Sequence, residues 1–215
     1  MTDLWSSRAE AYRQSEAHRE GADLDQLVDW ALQAAGREAL DVATGGKHVA
    51  RRLADAGFRV VTADPAPGMQ ADVICRAEDI PFASGSFDVV ACRVAPHHFE
   101  DVRKAVAELA RVTRELVIVV DNEFMDEAAE RAEVLRDPTH VRNYSQAEWL
   151  ELFAAAGLAV EDVRRFAKPI ELESWLERTG CTGADAARVR ELLRGHVDGG
   201  TLTLARIGLV GRKSR

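Results

Sequence analysis

An acidic residue and a pair of glycines lie at the end of a short apolar run. The segment is Asp41-Val42-Ala43-Thr44-Gly45-Gly46, and adjacent glycines let a backbone turn sharply and approach a ligand closely. Asp64 stands 23 residues after Asp41, behind the next apolar run, where a carboxylate can accept hydrogen bonds from both hydroxyl groups of a ribose. Together these residues indicate a site for a ligand that contains a ribose.

The glycine pair does not fit two common nucleotide-binding motifs. A nicotinamide-dependent dehydrogenase would carry G-x-G-x-x-G, and no third glycine follows Gly45 and Gly46 at that spacing. A P-loop would place Ser or Thr after its lysine, whereas His48 follows Lys47. A nicotinamide-dependent dehydrogenase is therefore a distant alternative for this chain.

Two histidines, His97 and His98, stand behind another predicted strand, where a helix begins. A packed or capping histidine is the simple interpretation; a general base or a substrate ligand is the functional one, because imidazole titrates near neutral pH. Asp121 and Asn122 follow the fifth strand and mimic half of a magnesium site. The fourth strand, however, ends at Arg93 without a carboxylate, and Mg²⁺ prefers oxygen ligands, so we predict no bound metal.

Strands and helices must alternate to bring these residues together. Apolar runs predict buried strands, and stretches with apolar residues at helical spacing separate them. Such alternation is typical of an α/β fold with a mostly parallel sheet and helices on both faces, in which ligands bind beyond the carboxyl ends of the strands. Ser145 and Glu148 form a capping box that begins one helix. The predicted strands are residues 39–43, 58–63, 72–75, 87–92, 116–120, 158–163 and 202–210.

Composition limits the classes of function. The 215 residues suit one domain, 47% of them are hydrophobic, and the net charge of -8 opposes binding to nucleic acid. No apolar run approaches the roughly 20 residues that span a bilayer, and the polar segment Met1–Trp5 lacks a signal-peptide pattern. We expect a cytoplasmic monomer or homodimer with a small-molecule substrate and three free thiols, at Cys75, Cys92 and Cys181.

Several segments share their pattern with a known family. The glycine turn resembles motif I of class I S-adenosylmethionine (SAM)-dependent methyltransferases. Residues Ala77–Phe82, Gly85–Asp88 and Cys92–Phe99 resemble the signature of the type 11, or ubiquinone/menaquinone-biosynthesis-like, members. The resemblance implies a Rossmann-like sheet of seven strands with an antiparallel last strand. It also implies SAM as cofactor, S-adenosylhomocysteine as product and methyl transfer to a small molecule.

The resemblance also implies roles for particular residues. Asp64 would hold the ribose hydroxyls, and Ala77 and Glu78 would lie beside the adenine. The glycine turn would contact the methionine part of SAM, and Arg93 would close the pocket. The residues implied for cofactor binding are Ala43, Thr44, Gly45, Gly46, Lys47, Asp64, Pro65, Met69, Ala77, Glu78, Arg93 and Val94. The predicted substrate-binding residues are Tyr12, His18, His140 and Arg142, and the predicted lid comprises residues 1–35 and 171–196.

Some residues depart from the family pattern. Lys47 replaces a usual glycine, and its ammonium could pair with the SAM carboxylate, point into solvent or obstruct the pocket. Arg76 stands where an aspartate often binds the adenine amino group. Only residues 65–71 connect Asp64 to the third strand, whereas a parallel crossover normally needs a dozen or more. These departures keep a second hypothesis open: a degenerate SAM site in a binding or regulatory protein, or in an enzyme of non-methyl chemistry.

Overall fold

The computed structural model describes residues 2–14 and 19–214. His18 lies outside the described residues, as does the side chain of Tyr12, so their substrate contacts stay predictions. The helices are α1 (Thr2–Gln14), α2 (Ala22–Ala31), α3 (His48–Asp55), α4 (Val102–Val112), α5 (Glu127–Arg136), α6 (Gln146–Ala155), α7 (Leu172–Glu177) and α8 (Gly183–Leu192). The strands are β1 (Glu38–Val42), β2 (Arg59–Ala63), β3 (Phe87–Arg93), β4 (Thr113–Asn122), β5 (Leu158–Glu171), β6 (Val197–Asp198) and β7 (Thr201–Lys213).

The strands form one sheet in the order β2-β1-β3-β4-β7-β5, and the short strand β6 pairs with β7. The first four strands of that order run parallel, because helical segments connect them, while β7 runs antiparallel to β4 and β5. The predicted fold class is confirmed: a Rossmann-like, mostly parallel sheet of seven strands with an antiparallel last strand.

The predicted third strand at residues 72–75 is wrong. Only Val73 forms a bridge, to Ala63 at the end of β2, and Ile74 is 61% exposed. The connection of residues 65–71 is too short for a helical crossover, so it cannot return the chain in register with β2. Asp72 holds the segment instead, because its carboxylate accepts hydrogen bonds from the Thr62 amide at 2.8 Å and hydroxyl at 2.7 Å. The sheet reaches seven strands through β6, which the sequence did not indicate.

Helices cover both faces of the sheet and leave its carboxyl edge accessible. On one face α2 and α3 bury side chains such as Leu24, Trp30 and Leu53 against β1, β3 and β4. On the other face α4 and α6 contribute the core residues Leu109 and Trp149. Helix α6 begins at the predicted capping box: the Ser145 hydroxyl accepts from the Glu148 amide, and the Glu148 carboxylate accepts from the Ser145 amide. This packing fixes the strand ends that position the site.

A separate small core forms beyond the main sheet. Helices α7 and α8, within the predicted lid segment 171–196, pack against α5 and the start of β7, and Trp175, Leu176 and Leu202 are buried there. No helix among residues 2–14 and 19–214 has the length and apolar composition to cross a membrane.

Candidate functional site

A cleft of about 200 Å³ opens at the carboxyl ends of β1, β2 and β3. Most of the residues predicted for the cofactor line it. They are Ala43, Thr44, Gly45, Gly46, Asp64, Pro65, Met69, Ala77, Glu78, Arg93 and Val94, and His98 joins them. The glycine turn is open toward this space, since a Cβ atom on Gly45 would have no described atom within 4 Å.

Asp41 shapes the glycine turn from beneath. Its carboxylate is 1% exposed and accepts hydrogen bonds from the Thr44 hydroxyl and, at 3.1 Å, from the Ala50 amide in α3. Burial raises the pKa of Asp41 to about 7. The residue therefore joins the turn to the helix that follows, and it also lines the cleft.

Asp64 projects from the end of β2 toward the same turn. Its two carboxylate oxygens accept hydrogen bonds from the Gly45 amide at 3.0 Å and the Ala66 amide at 2.9 Å. Burial raises the pKa of Asp64, which is 6% exposed. Each oxygen keeps a further lone pair, so the carboxylate can accept hydroxyl donors from a ligand in the cleft.

The backbone around the cleft adopts unusual conformations. Ala43, Lys47 and Val94 have φ values of 55°, 61° and 54°, in the left-handed region that side chains with a Cβ atom rarely adopt. Val94 is β-branched, and its amide donates to the Val120 carbonyl at 2.7 Å. Such strain is typical of functional sites, because the surrounding structure must impose it.

Lys47 turns away from the cleft. Its ammonium donates to the Gln70 carbonyl, and Lys47 is not among the described residues that line the cleft. In this orientation Lys47 leaves the cleft unobstructed, and its pairing with a ligand carboxylate stays a prediction. The left-handed conformation of Lys47 explains why a glycine suits this position.

Arg76 lies at the rim of the cleft beside Glu78. Its guanidinium donates to the Glu78 carboxylate at 3.3 Å and to the Glu100 carboxylate at 3.2 Å. Glu78 is buried and also accepts from the Glu100 and Asp101 amides, at 3.1 and 3.3 Å. Arg76 thus binds two neighbouring carboxylates. An aspartate, which the family resemblance implies at this position, would instead be an acceptor for the adenine amino group.

His98 faces the cleft, and a fixed tautomer follows from its contacts. Its Nδ1 lies 2.9 Å from the Thr139 carbonyl oxygen, which can only accept, so Nδ1 carries the proton and Nε2 keeps a lone pair. Burial, followed by the neighbouring His97, holds the pKa of His98 well below its usual range. The Trp5 ring of α1 packs edge-on against it, with 4.6 Å between ring centroids. A neutral imidazole with an available nitrogen can accept a proton.

His97 points away from the cleft into the protein. Its Nδ1 lies 2.6 Å from the Asp121 carboxylate, which also accepts from the His97 amide at 2.8 Å. Burial lowers the pKa of His97 to about 3 and raises that of Asp121 to about 7. This contact occupies Asp121, which was considered as half of a magnesium site. No group of three or more His, Cys, Asp or Glu suited to a metal occurs among the residues that the structure describes.

The other predicted substrate residues lie beside the histidines rather than in the cleft. His140 is buried with its Nε2 2.9 Å from the Glu130 carboxylate. Arg142 pairs with Glu148 of the capping box. The His140 ring centroid lies 6.3 Å from that of His98, so the loop supports the wall that carries His98.

Helix α1 forms the wall that the shortened connection leaves incomplete. The Ser6 hydroxyl oxygen accepts a hydrogen bond from the Gly68 amide at 3.1 Å, and Arg13 donates to the Gly68 carbonyl at 3.1 Å. Ala9 packs on Met69 in the same interface. Trp5, on this helix, lines the cleft. Trp5 was not among the predicted site residues, and its signal in the sequence is weak, because it is one of two aromatic residues in a mostly polar N-terminal segment.

The chain is similar to known proteins in sequence and in fold. A family model described as a methyltransferase domain matches residues 40–120. The uncharacterized methyltransferase YcgJ of Bacillus subtilis (strain 168) is 35% identical over 203 residues, which cover 84% of this chain and 80% of YcgJ. The chain belongs to the methyltransferase family. The crystal structure of YcgJ matches this methyltransferase with a TM-score of 0.80 and 28% identity, covering 90% of this chain and 98% of YcgJ.

A relative with a named activity matches a smaller part of the methyltransferase. The demethylmenaquinone methyltransferase of Thermus thermophilus is 37% identical over 111 residues, which are 43% of this chain and 50% of that protein. This match covers about half as much of the chain as the match to YcgJ does.

Proposed function

We propose that this methyltransferase uses SAM to methylate a small-molecule acceptor. The observation that carries the proposal is the Asp64 carboxylate, fixed by two amides at the end of β2 and facing the open glycine turn. A carboxylate at this place suits the two ribose hydroxyls of SAM. The space beside Gly45 lets the methionine part lie against the backbone. These donor and acceptor groups fit the cofactor.

Different residues that line the cleft would bind different parts of SAM. Asp64 would hold the ribose, Ala77 and Glu78 would flank the adenine, and Arg93 and Val94 would close the methionine end. When bound, SAM supplies a methyl group on a positively charged sulfur. A nucleophile of the acceptor would attack the methyl carbon, and the sulfur would leave as the neutral thioether of S-adenosylhomocysteine. The protein contributes alignment, because proximity and orientation supply most of what such a displacement needs.

His98 is the proposed general base. Its Nε2 is unprotonated at neutral pH, so it can accept the proton that an acceptor hydroxyl or amine loses as it is methylated. We expect His98→Gln to lower kcat by about 10²- to 10⁴-fold with little change in SAM affinity. Because the pKa of His98 is lowered, kcat of the wild type should stay constant from pH 8 to about 6, where a histidine with the ordinary pKa of about 6.5 would already be mostly protonated. A fall in kcat between pH 8 and 6.5 would contradict this role.

The predicted lid comprises residues 1–35 and 171–196, and we place its part beside the reacting groups in helix α1, because Trp5 lines the cleft. Trp5 would exclude water from the reacting groups next to His98. The net charge of -8 disfavours a nucleic acid as the acceptor.

Calorimetry with S-adenosylhomocysteine tests the proposed cofactor directly. We expect a dissociation constant in the micromolar range or tighter for the purified protein. Absence of heat at about 1 mM ligand, which corresponds to about 4 kcal/mol, would refute SAM dependence.

A further inference from the structure

The loop of residues 137–143, which follows helix α5, carries the groups that hold the His98 ring. The Asp137 Oδ1 atom accepts hydrogen bonds from the Thr139 hydroxyl at 2.7 Å and from the Thr139 amide at 3.0 Å, and both residues are buried. The Thr139 carbonyl oxygen lies 2.9 Å from His98 Nδ1, and the Thr139 hydroxyl oxygen lies 3.3 Å from the same atom. Asp137 therefore fixes the residue whose two oxygens face His98 Nδ1.

Asp137 is ionised and is held from two sides. Burial acts to raise its pKa, but the hydrogen bonds from Thr139 and the charge of Arg136 outweigh this effect and leave the pKa below its usual range. An Arg136 guanidinium nitrogen lies 3.7 Å from Asp137 Oδ2, and the guanidinium carbon lies 4.0 Å from the centre of the Trp175 ring in α7. Helix α7, within the predicted lid segment 171–196, thus contacts the arginine that supports Asp137.

The hydrogen-bond directions run one way from His98 to Asp137. A carboxylate can only accept, so the Thr139 hydroxyl donates its hydrogen to Asp137 and keeps its lone pairs for another donor. The Nδ1–H group of His98 is that donor, and it is shared between the hydroxyl oxygen and the carbonyl oxygen of Thr139. The lone pair of His98 is therefore on Nε2, which has no hydrogen bond among the residues that the structure describes.

The other ionisable groups near His98 are bound to partners of their own. The His97 ring lies beside it, with 4.0 Å between ring centroids, and both oxygens of Asp121 bind His97. The His140 ring centroid lies 6.3 Å away, and His140 binds Glu130. Within the part of the chain that the structure describes, the loop of residues 137–143 is thus the element that orients the His98 ring through hydrogen bonds.

We propose that Asp137 and Thr139 are positioning residues that keep the proton of His98 on Nδ1 and leave Nε2 open to the methyl acceptor. This inference rests on the proposed function, in which His98 is the general base. Neither residue is among the described residues that line the cleft, so both act through His98. When Nε2 takes the proton that the acceptor loses, the ring becomes positively charged, and the Asp137 carboxylate stabilises this charge through the Thr139 hydroxyl.

Nitrogen NMR of ligand-free protein labelled with ¹⁵N-histidine reads the position of the ring proton, and the spectrum of His98→Gln assigns the His98 signals. In the wild type we expect a protonated Nδ1 and an unprotonated Nε2. Thr139→Val removes the hydroxyl and keeps the shape of the side chain, whereas Asp137→Ala removes the acceptor of both Thr139 donors. Each variant should shift the ratio of the two tautomers by about fivefold or more toward protonated Nε2, because the hydrogen bond of one ring nitrogen decides which of them carries the proton.

Two matched variants separate positioning from a general loss of structure. Thr139→Ser keeps the hydroxyl and should give the wild-type signals of His98. Asp126→Ala removes a carboxylate from the other end of α5, where Asp126 accepts from the Ala129 amide at 2.8 Å and binds His196 instead of His98. It should destabilise the same helix and leave the signals of His98 unchanged. Calorimetry with S-adenosylhomocysteine checks the cleft, and its affinity should change less than about threefold in all four variants.

Three results would overturn the positioning role. They are a wild-type His98 protonated on Nε2, an unchanged tautomer ratio in folded Thr139→Val, and a shift in Asp126→Ala as large as that in Thr139→Val. If Asp137→Ala does not fold, Thr139→Val and Thr139→Ser still decide between these results. Failure of the wild type to bind S-adenosylhomocysteine would refute the proposed function instead, and the spectra of the ligand-free protein would still show whether Thr139 and Asp137 hold the His98 proton.

Discussion

Two backbone amides hold the Asp64 side chain in position without a ligand. The amides of Gly45 and Ala66 fix its carboxylate oxygens, so little reorganisation is needed when a ribose arrives. The same contacts mean that removing the carboxylate has two separable effects, one on the ligand and one on the fold.

Substitution of Asp64 tests both effects. We expect Asp64→Asn to weaken S-adenosylhomocysteine about tenfold or more, because charge-assisted hydrogen bonds contribute about 1.5–3 kcal/mol each. Asp64→Ala should also lower the free energy of unfolding by about 1–3 kcal/mol, because the buried Ala66 amide loses its acceptor. Calorimetry and urea denaturation measure the two. Asp72→Asn is a control, since Asp72 binds Thr62 outside the cleft; a change under threefold at Asp64 would exclude it as the ribose ligand.

Lys47 offers a test of backbone strain. A helical lysine would lose stability on replacement by glycine, but the left-handed φ of 61° reverses the expected sign. The left-handed region costs about 1–2 kcal/mol for a residue with a Cβ atom, against about 0.5–1 kcal/mol for the extra freedom of glycine. We therefore expect Lys47→Gly to raise the free energy of unfolding by up to about 1 kcal/mol, measured by urea denaturation.

A matched variant in the next helix should behave oppositely. Arg51 lies in α3 and is exposed, and Arg51→Gly should cost about 1 kcal/mol. Affinity for S-adenosylhomocysteine should change less than about threefold in Lys47→Gly, because Lys47 does not line the cleft. Destabilisation by Lys47→Gly equal to that of Arg51→Gly would contradict the left-handed conformation.

Helix α1 and the Pro67–Met69 turn pack with their backbones in close contact. A Cβ atom on Gly68 would lie 2.6 Å from the Ser6 Cα atom and 2.7 Å from its carbonyl oxygen. The two backbones can approach this closely only because residue 68 is glycine.

Gly68→Ala should therefore displace α1 from the cleft. We expect weaker binding of S-adenosylhomocysteine by about threefold or more and faster proteolysis within residues 1–20, because the methyl group and the Ser6 backbone cannot share this space. Gly195→Ala is the control, since a Cβ atom there meets no described atom within 4 Å. Equal behaviour of the two variants in calorimetry and limited proteolysis would show that α1 does not enclose the ligand.

Local patterns predicted some elements and could not predict others. The glycine turn, the strands around it and the capping box at Ser145 depend on neighbouring residues, and the structure contains them. The segment 72–75 has the composition of a strand, yet a short connection prevents its pairing. Ser6 contacts Gly68, which is 62 positions away in the sequence. Arg206 pairs with Asp23, which is 183 positions away. Such contacts follow from the assembled fold, and no spacing in the sequence reveals them.

Buried ionisable groups make the stability of the whole protein depend on pH. The pKa of Asp41 is about 7 in the fold, against 3.8 for a free side chain. Between these values the folded state holds a proton that the unfolded state lacks, so this contribution is complete below pH 3.8 and is lost as the pH rises through about 7. The His97–Asp121 pair holds one proton in both states over most of this range, because the lowered pKa of one offsets the raised pKa of the other.

The lowered pKa of His98 makes its contribution to stability rise with pH, opposite to that of Asp41. Comparing the wild type with Asp41→Asn at each pH cancels the contribution of His98. We expect the stability of the wild type relative to Asp41→Asn to decrease from pH 5 to pH 8 by at least about 1 kcal/mol, since one pKa unit corresponds to about 1.36 kcal/mol. Urea denaturation at several pH values measures it. Parallel pH profiles for the two proteins would show that Asp41 is ionised in the fold.

The order of the strands leaves two edges, at β2 and β5, and each has features that hinder further pairing. At β2 the Val73 bridge and the Asp72 contacts occupy the end of the strand. At β5 a register shift between Val160 and Asp162 interrupts the ladder, and Pro169 has no amide hydrogen. Charged residues on β5, among them Arg164 and Arg165, are exposed along the rest of the edge. An edge of this kind is a poor template for another chain, so the long outer strand should not seed aggregation.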